Sequence, residues 1–170
     1  VTMKKKYNVI IAALFVIMII FYVRPAKADE QACLAEAIYF EARSETFTAQ
    51  LAVANVILER VKDNRYPGTI CQVVHQGRYR GGKPVRHRCM FSYWCDGKPE
   101  TIANTEAYKM AVSIAALAME GVILDSTEGS THFHATYVIP YWTLTENIER
   151  VGQVGSHIYY VDIGDRGVYI

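Results

Sequence analysis

A change of hydrophobic period near Gly121 constrains this chain most. Before it, apolar residues recur every three or four positions; after it, they come in short β-rich runs. From Gln31 to Glu45, Leu34, Ala37 and Ile38 share a helical stripe with Glu41 and Glu45, which predicts a first helix. A second is expected over Thr46–Lys62, where Phe47, Leu51, Ala54, Ile57, Leu58 and Val61 repeat at helical spacing and Gln50 interrupts the stripe. Asn64-Arg65-Tyr66-Pro67-Gly68 ends it. Thr69–His75 reads as one or two helical turns, Gly77–Cys89 as a basic, Gly-rich loop, and Ile102–Glu120 as a third long helix stopped by Gly121. Thr131–Val138 and His157–Val161, rich in β-formers and bounded by Gly, Pro and Ser, read as strands. Helices first and a small antiparallel sheet afterwards define a single α+β domain.

The first 28 residues stand apart. Lys4, Lys5 and Lys6 precede an uncharged apolar run from Val9 to Val23, followed by Arg24-Pro25-Ala26-Lys27-Ala28. A basic n-region, an apolar h-region and an Ala-x-Ala exit before Asp29 are the parts of a secretory signal peptide. The alternative is an uncleaved anchor over residues 9–23, since the run lies near the lower edge of the roughly 17–25 residues that span a bilayer. Residues 29–170 are then the folded, exported domain, in the periplasm or cell envelope, with transient membrane contact through the leading segment. The segment's five basic residues leave 13 of the 18 Lys+Arg against all 17 Asp+Glu, a formal charge of −4. That balance lacks the electrostatic footprint of a nucleic-acid-binding protein, so no DNA or RNA partner is expected.

All four cysteines, Cys33, Cys71, Cys89 and Cys95, lie in the exported part. An even number outside the cytosol reads as disulfides. Zinc is the alternative, but no pair has the short Cys-x-x-Cys spacing of structural zinc sites. Cys89 and Cys95 are close enough to close one loop, which leaves Cys33 with Cys71.

Glu41 is the informative acid. Three residues from Ile38 and seven from Leu34, it points where they point, toward the interior or a cleft. Desolvation there disfavours the charged form and raises the pKa, as a general acid near neutral pH requires. Glu36 lies about 140° away around the helix and reads as structural. Glu45 sits at the helix end, where a solvent-exposed or capping role fits. Asp96 reads as a turn residue, and the charges Arg78, Arg80, Lys83, Arg86 and Arg88 as a solvated face.

His132 and His134, two apart on a strand, could reach one metal and hint at a zinc peptidase or amidase. Two histidines without a third ligand of recognisable spacing also fit residues lining a groove, and the expectation is no metal and no cofactor.

Several separated blocks resemble the cell wall hydrolase family that includes the spore cortex-lytic enzymes. They are Ala35-Glu36-Ala37-Ile38-Tyr39-Phe40-Glu41-Ala42-Arg43; Gln50 to Leu58 with Arg60-Val61; Tyr66-Pro67 with Thr69-Ile70-Cys71; Phe91-Ser92 with Cys95-Asp96-Gly97; Asp125 to Ala135; Pro140 with Trp142; and Gly155 with His157-Ile158-Tyr159. The resemblance implies a lysozyme-like or transglycosylase-like fold in which Glu41 is the catalytic acid. Tyr39-Phe40 and His132-Phe133-His134 depart from the spore enzymes' pattern, which argues against a spore-cortex substrate, and the Ala-x-Ala signal with paired cysteines makes ordinary peptidoglycan the expected one.

The expected activity is therefore cleavage of peptidoglycan glycan strands between N-acetylmuramic acid and N-acetylglucosamine by a monomeric lytic transglycosylase. Alternatives are a hydrolytic muramidase, a zinc-dependent wall amidase or peptidase, and a non-catalytic wall-binding module. Gln50, Ser92, His134 and Tyr137 are candidates for holding the sugar, because amide, hydroxyl and imidazole groups hydrogen-bond acetamido and ring oxygens.

Overall fold

The structure, a computed structural model, describes residues 27–164. The apolar run Val9–Val23 lies outside the described residues. The Ala28–Asp29 junction falls inside the first described helix, α1, residues 27–42. The other helices are α2 (Phe47–Lys62), α3 (Ile70–Val74) and α4 (Thr105–Met119). None of the described helices is long and apolar enough to cross a membrane.

The helices start where short polar side chains can accept a first-turn N–H. Thr46 accepts from Ala49 N at 3.3 Å, Thr69 from Gln72 N at 3.3 Å, and Asn104 from Ala107 N at 3.0 Å. Asn104 therefore opens α4 three residues after the expected start at Ile102, and Gly121, at φ +96°, follows its end. α1 stops at residue 42, short of the expected Glu45, and the chain turns before Thr46.

α2 is the central element, buried continuously from Ala49 to Ile57. Leu51, Val53, Ala54 and Ile57 belong to a core shared with Leu34 and Ile38 of α1 and Ala111, Ile114 and Ala115 of α4. Ala52 and Val56 meet Tyr159 on the sheet. A helix covered on several faces must lack a polar stripe, and this one joins the helical layer to the strands. Asn55 reinforces the packing: its Nδ2 donates to Val122 O and its Oδ1 accepts from Leu124 N, both at 3.0 Å, pinning the segment after α4.

Helices precede the main sheet, whose strands are β3 (His132–Ala135), β4 (Ile148–Val154) and β5 (His157–Asp162), antiparallel in the order β3-β5-β4. Register pairs His134 with Ile158 and Val154 with His157. Of the expected run Thr131–Val138 only His132–Ala135 is strand; β4 is an extra edge strand.

The expected Gly77–Cys89 loop is instead a hairpin of β1 (Gly77–Arg80) and β2 (Lys83–Cys89). Arg80 pairs with Lys83 across Gly81 and Gly82, whose φ values of +58° and +75° suit a two-residue turn of right-handed strands. Arg78, Arg80, Lys83, Arg86 and Arg88 are all exposed, so the charge run is a solvated face. Two disulfides fasten these parts. Cys33–Cys71 ties α1 to α3 with Cα atoms 5.2 Å apart, and Cys89–Cys95 ties the end of β2 to a 3₁₀ turn, Ser92–Cys95, at 6.1 Å.

Candidate active site

Glu41 is the penultimate residue of α1, directly before the buried Ala42 and one turn after the buried Ile38. This placement carries its carboxyl to a cleft of about 400 Å³ between the helical layer and the sheet. Phe40 comes with it from α1, Arg60 from α2, Phe91 and Ser92 from the segment after the hairpin, His134 from β3, Tyr137 from the following loop and His157 from β5. Phe40 stacks on Tyr93 with ring centroids 4.6 Å apart. Burial pushes the Glu41 carboxyl up to about 7, against the Arg60 guanidinium, which pulls the other way. Among the described residues lining the cleft, Glu41 is the only carboxylic acid.

The other acids singled out in the sequence have other surroundings. The Ser156 hydroxyl donates to Glu45 Oε1, so Glu45 is tied to the β4–β5 turn rather than left to solvent or to cap its helix. Glu36 is raised above the usual carboxylate range by burial; the Tyr93 hydroxyl opposes the rise and Glu100 adds to it. Asp96 is a turn residue, its Oδ1 accepting from Lys98 N at 2.7 Å.

His132 and His134 share a strand face, and Trp142 packs against both rings, with centroids at 5.2 and 5.6 Å. His132 Nδ1 lies 3.0 Å from Thr131 Oγ1, and both ring nitrogens of His134 face protein groups, Nδ1 at 2.9 Å from Ala135 O and Nε2 at 2.9 Å from the Tyr160 hydroxyl. Burial lowers the His132 pKa, with Arg60 assisting, and burial also lowers that of His157. No group of three or more His, Cys, Asp or Glu side chains arranged to hold a metal occurs among the described residues.

Of the four candidate sugar contacts, Ser92, His134 and Tyr137 line the cleft with Glu41. Tyr137 is 85 % exposed, a phenol presented at the rim. Gln50 is not among the lining residues: it is buried in α2 and its amide donates to Glu45 O at 3.0 Å, spanning the α1–α2 turn. Arg60 was not anticipated as a site residue. The available signal was an arginine on an apolar helix face, three residues after Ile57 and seven after Val53, both fully buried. A larger hollow of about 580 Å³ lies between Lys62–Arg65 and Val161–Gly164, where Arg65 is paired with Asp63 and Asp162.

A desolvated acid facing a polar cleft has the chemistry that protonation of a glycosidic oxygen needs. The chain belongs to the Cell Wall Hydrolase family, whose sequence profile matches residues 44–160, beginning just after Glu41. It is thus an enzyme that cleaves cell wall glycan. Two solved structures are similar to it. One is the catalytic domain of the Bacillus cereus SleB protein, 25 % identical, with a TM-score of 0.56 over 78 % of this chain and 89 % of that one. The other is the catalytic domain of the germination-specific lytic transglycosylase SleB from Bacillus anthracis, 25 % identical, with a TM-score of 0.58 over 76 % of this chain and 92 % of that one. No curated protein sequence matches the chain.

Proposed function

We propose that the protein is a lytic transglycosylase that cleaves peptidoglycan between N-acetylmuramic acid and N-acetylglucosamine, with Glu41 as acid and then base. The observation that carries this reading is a lone carboxyl in the cleft, protonated near neutral pH by burial. Protonated Glu41 gives its proton to the glycosidic oxygen as the C1–O bond breaks with oxocarbenium character, and the departing sugar leaves as an alcohol. The Glu41 carboxylate then takes the proton of the muramyl C6 hydroxyl, whose oxygen closes on C1 to give a 1,6-anhydro ring. Glu41 ends protonated, as it began, and no water is consumed.

A hydrolytic mechanism with a pair of acids needs a second carboxylate within about 5–10 Å of the first to serve as nucleophile or activate water. The described cleft lining supplies none. Ser92 and Tyr137 are assigned to hold the sugar, with the His134 ring as a cleft wall whose two nitrogens are taken by Ala135 and Tyr160, and export of a monomeric enzyme to the envelope completes the reading. Mass spectrometry of fragments released from purified peptidoglycan tests it. Anhydro-ended fragments, one water lighter than muramidase products, are expected; reducing ends would make the enzyme a muramidase.

A further inference from the structure

Arg60 is 5 % exposed. Its Nε donates to Thr131 O at 2.7 Å, which anchors α2 to the start of β3, and the guanidinium carbon lies 5.4 Å from the Tyr66 ring centre and 5.3 Å from that of Phe91. These contacts hold the group in place without neutralising it. Its Nη1 is closed to water and has no hydrogen-bond partner, and no described carboxylate lies within ion-pair distance of it. A buried cation left in this state is costly, and buried charges are normally set against an opposite charge.

The candidate is in the same cleft. Arg60 and Glu41 both line it, one from α2 and one from α1. We propose that Arg60 is the built-in counter-charge of Glu41, a positioning residue that steadies the carboxylate during the interval between its two proton transfers. The proposal rests on the reading of Glu41 as the acid. Nη1 is closed to water, so a sugar does not contact that nitrogen, and Arg60 acts on Glu41 from the cleft wall that both residues line.

The surrounding groups leave this task to Arg60. His134 on β3 and His157 on β5 line the cleft, Tyr93 approaches from the 3₁₀ turn, and Glu36 and Glu45 belong to the first helix stretch. Burial holds His157 toward its neutral form and lifts the Tyr93 phenol far above its usual range. Arg60 alone is a fixed cation acting on Glu41, and it lowers the proton affinity that burial raises. Without it, Glu41 would release its proton less readily and remain neutral to higher pH.

Nuclear magnetic resonance titration tests this without relying on turnover. In the wild-type protein the Glu41 carboxyl carbon and the Arg60 Nε signal should show a common inflection near the Glu41 midpoint. Glu41→Gln should remove that inflection from the Arg60 signal. Arg60→Met should raise the Glu41 midpoint by roughly one pH unit, and Arg60→Lys, which keeps the charge, should move it much less. If Arg60→Met does not fold, the comparison of wild type with Glu41→Gln decides alone. An Arg60 signal blind to the Glu41 midpoint, or an inflection that persists in Glu41→Gln, overturns the proposal. Glycan cleavage assayed in parallel separates the two assignments: an active Glu41→Gln enzyme refutes the catalytic acid, whatever the titration shows.

Discussion

Glu41 and Glu45 are four residues apart, yet they meet opposite surroundings. Glu45 receives the Ser156 hydroxyl at the β4–β5 turn, whereas Glu41 faces the cleft beside Arg60, which is not within ion-pair distance. The end of α1 at residue 42 separates them: beyond it the chain leaves the helical path, and the two carboxyls no longer share a stripe.

The Glu41 pKa of about 7 gives activity a direction with pH. The acid must be protonated to start the reaction, so kcat/KM should fall as pH rises through about 7. A pH–rate profile on purified glycan strands checks this, and a rate that keeps climbing from pH 6 to 9 would be inconsistent with a Glu41 acid.

The same shift predicts a stability signature. Folding raises the Glu41 pKa from 4.5 to about 7, so the folded state holds this proton more tightly than the unfolded chain. The resulting contribution is fully present below about pH 4.5 and is lost as pH rises through about 7. Glu41→Gln does not titrate, so its Tm should gain on that of the wild type between pH 5 and 8. Thermal melts at both pH values measure the difference; an equal gap at each would contradict it.

The two disulfides should differ in worth. Cys33–Cys71 closes a separation of 38 residues and Cys89–Cys95 one of 6. Loop-closure entropy assigns about 4 kcal/mol to the longer bridge and about 2 kcal/mol to the shorter. Paired Cys→Ala variants unfolded in denaturant should therefore lose more with Cys33/Cys71 than with Cys89/Cys95.

Gly155 is held at φ +57°, and a Cβ there would come 2.8 Å from Ala49 Cβ and 2.5 Å from Glu45 Oε2. Gly155→Ala should thus destabilise the β4–β5 turn by roughly 1–3 kcal/mol, through both its backbone conformation and the collision. Denaturant unfolding provides the value, and a neutral effect would mean that the turn yields easily.

Chelation is expected to leave activity intact, since His132 and His134 are engaged with Thr131 and Tyr160 and packed by Trp142. Exhaustive dialysis against a chelator, followed by cleavage assays, is the check. A loss restored by zinc would favour the amidase reading.

The fold was legible where a buried face was continuous. The stripes through Leu34 and Ile38 and through Leu51, Ala54 and Ile57 revealed α1 and α2, and the apolar run at His157–Val161 revealed β5, the central strand. Solvated elements were not legible. β1 and β2 expose their charges, so no alternation betrays them, although Gly81-Gly82 was a hairpin signal. β4 is an edge strand with mostly exposed or half-exposed residues and a register shift between Arg150 and Gly152. In the cleft, Glu41 was visible because an acid on an apolar stripe is anomalous. Arg60 was the same kind of anomaly on α2, but its significance depends on the packing of α2 beside α1 and β3, which periodicity does not encode. Gln50 lies outside the cleft lining for a related reason: α2 is covered on several faces, so a polar residue there serves the α1–α2 turn.

The most direct test of the account is cleavage of purified peptidoglycan by Glu41→Gln, with folding verified by circular dichroism and products identified by mass spectrometry. Glutamine keeps the size and polarity of the side chain but cannot deliver or recover a proton, and lost acid–base help of this kind costs about 10²–10⁴-fold in rate. The Glu41→Gln protein should fold and release anhydro-ended fragments at a rate lower by at least about 10²-fold. A folded Glu41→Gln enzyme releasing the same fragments at the wild-type rate would contradict it.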